Sequence, residues 1–273
     1  MADIKAVDVA KLRKSTGAGM MDCKKALQEA EGDFDKAVDL IRQKGKAIAN
    51  KRADREASEG NVQAKVDGNY GAMISLNCET DFVAKNESFV KFAVSILDLA
   101  IAEKPADLEA LKALSMDSKP LAEVIVERSG LIGEKLDLAF FGSMEAEKVQ
   151  AYNHQGNNLA TLVGFSKGDV NEQVAKDVAM QIAAMAPVAV DEDGVSAETI
   201  AHEKAIGRAK AIEEGKPENI VDRIAEGMVK KFLKENTLLN QEFTKDNKKT
   251  VAQYISEADK DLKVTGFLRY SVK

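Results

Sequence analysis

The chain has 273 residues, 45% apolar and 31% charged, with 5% aromatics and no Trp. That is enough to bury a core and to build one to three domains rich in helix. A formal net charge of −6 argues against a nucleic-acid binder, which needs clustered Lys and Arg to neutralise phosphate. The longest charge-free apolar run, Val178 to Val190, is interrupted by Gln181 and Pro187 and is shorter than the ~18 residues a membrane span needs.

Ile4, Val7, Val9, Ala10 and Leu12 predict a first helix, broken by Gly17 and Gly19. Met21, Ala26, Leu27 and Ala30 predict a second, capped by Asp22. Phe34, Ala37, Val38, Leu40 and Ile41 predict a third, ending near Gly45. Residues 1–45 therefore read as a compact three-helix module. Residues 46–58 are charge-rich with little apolar pattern and read as a partly helical linker that lets the module move.

Val62, Ala64 and Val66 alternate with polar residues, as in a half-buried strand. Gly68-Asn69 turns the chain into a buried strand, Ala72 to Leu76. Phe89, Phe92, Ala93, Ile96, Leu97 and Ala100 then fall at helical spacing over 88–102. Between strand and helix lies Asn77-Cys78-Glu79-Thr80-Asp81-Phe82-Val83-Ala84-Lys85-Asn86, a turn with two acids and an aromatic. Such an aromatic either plugs the local core or projects as an anchor for a partner. Local chemistry alone favours the core, where aromatics commonly lie. Helices follow around Leu108–Leu114 and Pro120–Arg128, then a strand over 135–143.

The rest of the chain repeats this order. Val62-Gln63-Ala64 is echoed by Val149-Gln150-Ala151, and Gly68-Asn69 by Gly156-Asn157. The segment 121–127 is echoed by 251–257, and strand 135–143 by residues 263–270. The pattern predicts a duplicated α+β core, halves 59–144 and 145–273, each with three antiparallel strands and flanking helices. The first echo is displaced by 87 residues and the later helix by 130, so the second half carries an insertion of about 43, placed at about 192–236. Ser196–Glu214 and the Ile220, Ile224, Met228, Phe232 stripe read as its two helices, an antiparallel hairpin with Gly215-Lys216-Pro217 between them. Such an arm is solvated or self-associating, which leaves a homodimer through it open.

Little here suggests catalysis. Gly17 and Gly19 lack the ending of a phosphate loop and follow no strand. Cys23 and Cys78 match no metal-ligand spacing and read as reduced, partly buried thiols. Only His154 and His202 are available as histidines, which makes a catalytic triad or a zinc site improbable. His202 lies among charges; His154 sits near the second hairpin tip, on a strand face with Tyr152 and Gln150. Glu79 and Asp81 could share a cation, yet acids so spaced are common. The N-terminus has neither an apolar signal region nor Arg-rich transit character, so the expected location is the cytoplasm. From residues alone this is an α+β interaction protein.

A resemblance makes the reading specific. Thr80-Asp81-Phe82-Val83-Ala84-Lys85-Asn86 resembles the signature of the translation elongation factor Ts family, guanine-nucleotide exchange factors for elongation factor Tu. Thr16-Gly17-Ala18-Gly19-Met20-Met21-Asp22-Cys23-Lys24-Lys25-Ala26-Leu27 resembles that family's N-terminal signature. The resemblance implies a ubiquitin-associated-like first module, a coiled-coil protrusion at the insertion, and a shorter form without the helical module that follows the last strand in many members. It implies that Phe82 projects. Thr80, Asp81, Phe82, Val83, Arg13, Met20 and Met21 would then contact elongation factor Tu. His154 joins them by a looser match of Tyr152-x-His154-x-Gly156. The implied partner surface is its GTP-binding domain, with GDP and magnesium on the partner and no cofactor on this chain. The matching position of the second half offers only Ser166-Lys167-Gly168-Asp169. The rival reading is a helical adaptor or chaperone-like protein without exchange activity.

Overall fold

The computed structural model describes residues 4–272; residues 1–3 and 273, the outer ends of the first and last expected units, lie outside the described residues. In chain order the elements are α1 (Ala6–Thr16), α2 (Met20–Glu29), α3 (Phe34–Lys51), β1 (Glu59–Asp67), β2 (Tyr70–Cys78), α4 (Asp81–Ala84), α5 (Glu87–Glu103), α6 (Leu108–Ala113), β3 (Ser115–Met116), β4 (Lys119–Pro120), α7 (Leu121–Ile132) and β5 (Asp137–Glu145). There follow β6 (Lys148–Asn153), β7 (Leu159–Phe165), α8 (Glu172–Met185), α9 (Ala197–Glu213), α10 (Glu218–Asn236), β8 (Glu242–Phe243), β9 (Asp246–Thr250), α11 (Val251–Ala258) and β10 (Val264–Ser271).

The internal repeat emerges as topology. One antiparallel sheet has the order β1-β2-β5, the other β6-β7-β10, so corresponding strands occupy corresponding places. A small hairpin precedes the last helix in both halves, β3-β4 before α7 and β8-β9 before α11. These two hairpins are additions to the pattern expected above; two-residue strands are too short to show alternation.

β2 is buried along its whole length because both of its faces are covered. Ile74 and Leu76 pack with Phe89, Ile96 and Leu97 of α5 and with Leu121 and Val124 of α7. Met73 points the other way, into a second core made with Val62, Ala64, Val149, Ala160 and Leu162. That core lies between the two sheets. Val163 and Phe165 of β7 face outward again, onto α8 and α11. The result is helices, sheet, sheet, helices. Polar contacts pin the halves together: the Asn153 side chain accepts from Ala64 N at 2.8 Å and donates to Ala64 O at 2.9 Å.

The N-terminal helices have their own small core of Val9, Leu12, Cys23, Leu27, Ala37 and Ile41. Two local readings change. Asp22 does not cap α2, whose N-cap is Gly19; its carboxylate pairs with Lys44 of α3 instead. Gly45 does not end α3, which continues to Lys51. The glycine is there for proximity: a Cβ on Gly130 of α7 would lie 2.2 Å from the Gly45 carbonyl oxygen. The two helices touch backbone to backbone, and this contact seats the N-terminal helices on the first half.

In the insertion α9 and α10 pack antiparallel. The expected Ile220, Ile224, Met228, Phe232 stripe is only half-buried, while Val221, Ala225 and Val229, one residue along, are buried. On α9 the buried positions are Gly207 and Ala211, and Ile206 and Ile212 are exposed. Small residues set this seam. A Cβ on Gly207 would come within 3.1 Å of Ala225 Cα, so the backbones approach there and the larger side chains are displaced to the flanks.

Candidate functional site

The turn after β2 begins where the last buried side chain of the strand, Cys78, ends the ladder. Its thiol donates to Thr80 O at 3.2 Å. Burial, helped by the charge of Glu134, pushes this thiol up to about 12, so it is not a nucleophile at neutral pH. Thr80 then caps α4, a single helical turn, by accepting from Val83 N. Asn86 caps α5 by accepting from Ser88 N at 2.9 Å.

Within that turn the side chains divide. Val83 packs against the first-half core and Ala84 is buried. Phe82 points outward and is 83% exposed. It fills no core, against the local-chemistry expectation, because Val83 and Ala84 take the inward positions. Asp81 is half-buried beside it and accepts from Lys85 Nζ at 2.7 Å. That hydrogen bond and the lysine charge hold the Asp81 carboxyl below the usual range.

Glu79 does not join Asp81. Its carboxylate turns inward, 13% exposed, and accepts from Arg52 Nη1 at 2.9 and 3.0 Å, Arg55 Nη1 at 3.0 Å and Lys135 N at 2.6 Å. Burial acts to raise its pKa, but the Lys135 N–H and the two guanidinium groups outweigh burial and bring it down to about 2. Glu134 answers from the opposite side. Its carboxylate accepts from Glu79 N at 3.2 Å, Thr80 N at 3.1 Å and Thr80 Oγ1 at 2.7 Å. A shared cation on Glu79 and Asp81 is therefore disfavoured, and among the described residues no cluster of three or more His, Cys, Asp or Glu is arranged to hold a metal.

The other expected contact residues are also at the surface. Met20 and Met21 are more than half exposed at the start of α2, and Arg13 is exposed in the last turn of α1. His154 lies exposed in the β6–β7 loop, its Nδ1 3.0 Å from Tyr152 Oη. The turn after β2, the α1–α2 loop and the β6–β7 loop thus belong to three different units of the fold. No helix among the described residues is long and apolar enough to cross a membrane.

A family model described as elongation factor TS matches residues 79–273. The chain belongs to the elongation factor Ts family. It is 49% identical to the elongation factor Ts of Azobacteroides pseudotrichonymphae over 97% of each chain. The corresponding figures are 48% and 97% for Porphyromonas gingivalis, and 49% over the full length of both chains for Christiangramia forsetii. The similarity thus covers the α1–α2 loop, the Phe82 turn and both core halves. Membership assigns the chain to translation elongation as a factor of protein biosynthesis, in an exchange-factor family.

Sequence reasoning missed the residues that hold the tip. Arg52 and Arg55 fall in the stretch read as a linker, and Glu134 sits between a helix stop and a strand. Their partners lie 24 to 55 residues away. The one available signal was Gly133, with φ +81 at the end of α7, which marked a tight turn close to strand 135–143 without saying what faced it.

Proposed function

We propose that this chain is a guanine-nucleotide exchange factor for elongation factor Tu in the cytoplasm. It binds the GDP form and promotes GDP release by placing the Asp81-Phe82 turn near the magnesium site of the GTP-binding domain. The observation that carries the reading is Phe82, a large apolar side chain exposed on a short, multiply anchored turn. Burying it in a cleft of the partner contributes roughly 1.5–3 kcal/mol, and each ~1.4 kcal/mol of coupling is worth tenfold in GDP affinity. Linkage requires GDP to weaken binding of this chain by the same factor.

Asp81 supplies the polar half of the wedge. Among the described residues its only charged partner within 4 Å is the exposed Lys85, and exposed pairs of this kind are weak. The carboxylate can therefore turn to compete for groups that organise the magnesium and phosphate. Thr80 and Val83 seat the turn. Arg13, Met20 and Met21 give a second contact, suited to an adaptable interface by the flexibility of Met, and His154 gives a third on the second half. Distortion of the GTPase between these holds opens the nucleotide site. The magnesium belongs to the partner, no bond is made or broken by this chain, and no resident cofactor is needed.

The domain plan that supports this is a ubiquitin-associated-like module over 1–45, a connection over 46–58, and core halves 59–144 and 145–273. The hairpin α9–α10 is a coiled-coil arm, whose apolar flanks at Ile206 and Ile212 could join two copies of the chain. The test is release of fluorescent GDP from elongation factor Tu. Acceleration by the wild-type chain, saturating with its concentration, is the expected result; release at the spontaneous rate would remove the exchange reading and leave an adaptor.

A further inference from the structure

We propose that Glu79 and Glu134 are positioning residues for the exchange tip. They form a reciprocal latch that holds α4 at a fixed angle to the first half and makes the segment leaving the N-terminal helices part of that hold. The inference rests on the exchange reading above and goes beyond it, because both carboxylates are taken up by groups of this chain itself.

The geometry is reciprocal. Glu134, from the turn after α7, accepts two backbone N–H groups and the hydroxyl at residues 79 and 80. Glu79, from the turn after β2, accepts the N–H of Lys135. Each carboxylate thus satisfies backbone donors of the other's turn, at the adjacent ends of β2 and β5. Charge-assisted bonds of this kind are shorter and stronger than neutral ones. Glu134 is itself placed by its own turn, since Ser129 Oγ donates to Glu134 O at 2.6 Å.

The third side of the latch comes from the stretch after α3. Arg52 and Arg55 both reach Glu79. Lys135 Nζ donates to Arg55 O at 2.9 Å, and Asn77 Nδ2 donates to Ala57 O at 3.0 Å. Four polar contacts therefore tie residues 52–57 to the root of the tip. Together with the Gly45–Gly130 contact, they let the position of the N-terminal helices bear on the position of Phe82. The expectation that this stretch lets the module swing freely is replaced by one in which both partner-facing surfaces are registered to each other before binding. A wedge that must distort a GTPase loses force if its root can yield, and misplacement of about 1 Å at a reacting site can cost a hundredfold.

The test is GDP release from elongation factor Tu at varied concentrations of the full chain, with Glu134→Ala, Glu134→Gln and Phe82→Ala beside wild type. For Glu134→Ala the saturating rate should fall about tenfold with the half-saturating concentration within about twofold of wild type. Glu134→Gln, whose carbonyl still accepts the two N–H groups, should recover most of the rate. Amide hydrogen exchange of the free chain should speed up at residues 79–83 in Glu134→Ala and little elsewhere. If Glu134→Ala does not fold, Thr80→Val, which removes the hydroxyl partner and the side-chain cap of α4 but leaves both N–H bonds to Glu134, should show the same split with a smaller loss. A folded Glu134→Ala exchanging at the wild-type saturating rate while Phe82→Ala is impaired would overturn the positioning role alone. A wild-type chain without effect on GDP release would overturn that role and the exchange reading together.

Discussion

The two core halves repeat one architecture and end their central strands differently. After β2 the chain spends Glu79 to Lys85 before the Asn86 cap of α5, and in that space makes the extra turn α4 that lifts Phe82 outward. After β7 it spends only Ser166 to Val170 before Asn171, which caps α8 in the same way. There Ser166 is tied to Lys263 by two bonds of 3.0 Å, and Lys167 pairs with Asp259 at 2.6 Å. The same junction thus serves as closure in the second half and as a projecting tip in the first. The second half spends its extra length elsewhere, between α8 and β8, on the α9–α10 hairpin. Duplication supplies two equivalent scaffolds, and short local insertions decide what each presents.

The strongest way to break this comparison is to make the halves alike. A chimera in which residues 79–85 are replaced by the sequence Ser166–Val170 should keep the second half and its core intact yet lose at least about a hundredfold in stimulated GDP release, the loss of wedge and latch together. Fluorescent-GDP kinetics check it, with circular dichroism to confirm folding. Next in size is Gly130→Ala. The added methyl meets the Gly45 backbone, so α3 and α7 must part, and overpacking of this kind costs typically 1–3 kcal/mol. Chemical denaturation should show that loss, with increased amide exchange in α1 to α3. The counterpart helix α11 carries no such module, and the change should leave α8 and α11 unaffected.

The acid limb sharpens the comparison further. Glu79 has a folded pKa of about 2 against an ordinary value of 4.5. A depressed folded pKa gives stability that is complete above the unfolded value and is lost as pH falls through the folded one. Melting temperature should therefore drop between about pH 4.5 and pH 2 in wild type, and Glu79→Gln should flatten part of that drop while lowering stability at neutral pH. The smallest effect belongs to Lys167→Ala. Its pair with Asp259 is one-third exposed and screened by solvent, so the melting temperature should barely move and GDP release should be unchanged.

Much of the architecture was legible because it rests on local signals. Gly68 with φ +59 makes the first hairpin, the Phe89–Ala100 spacing makes α5, and Gly215 with Pro217 separates α9 from α10. The repeat order of short echoes became two sheets of equal topology. Local signals failed where a residue answered to something distant. Gly45 looked like a helix stop and was a contact for Gly130, 85 residues on. Asp22 looked like a cap and was a partner for Lys44. Phe82 reads as core by local chemistry alone and as projecting only through the family resemblance, because nothing in its own neighbourhood says that Val83 and Ala84 take the inward places. The latch of Glu79, Glu134, Arg52 and Arg55 was not legible, since periodicity cannot pair charges across such separations.

The most direct test of the central claim is the saturating rate of GDP release from elongation factor Tu driven by Phe82→Ala against wild type. With 83% of its surface in solvent, Phe82 contributes almost nothing to the stability of the free chain, so the variant should melt like wild type. The rate should be lower by about ten- to a hundredfold, the equivalent of burying one phenyl ring. A folded Phe82→Ala that releases GDP at the wild-type rate would contradict the claim.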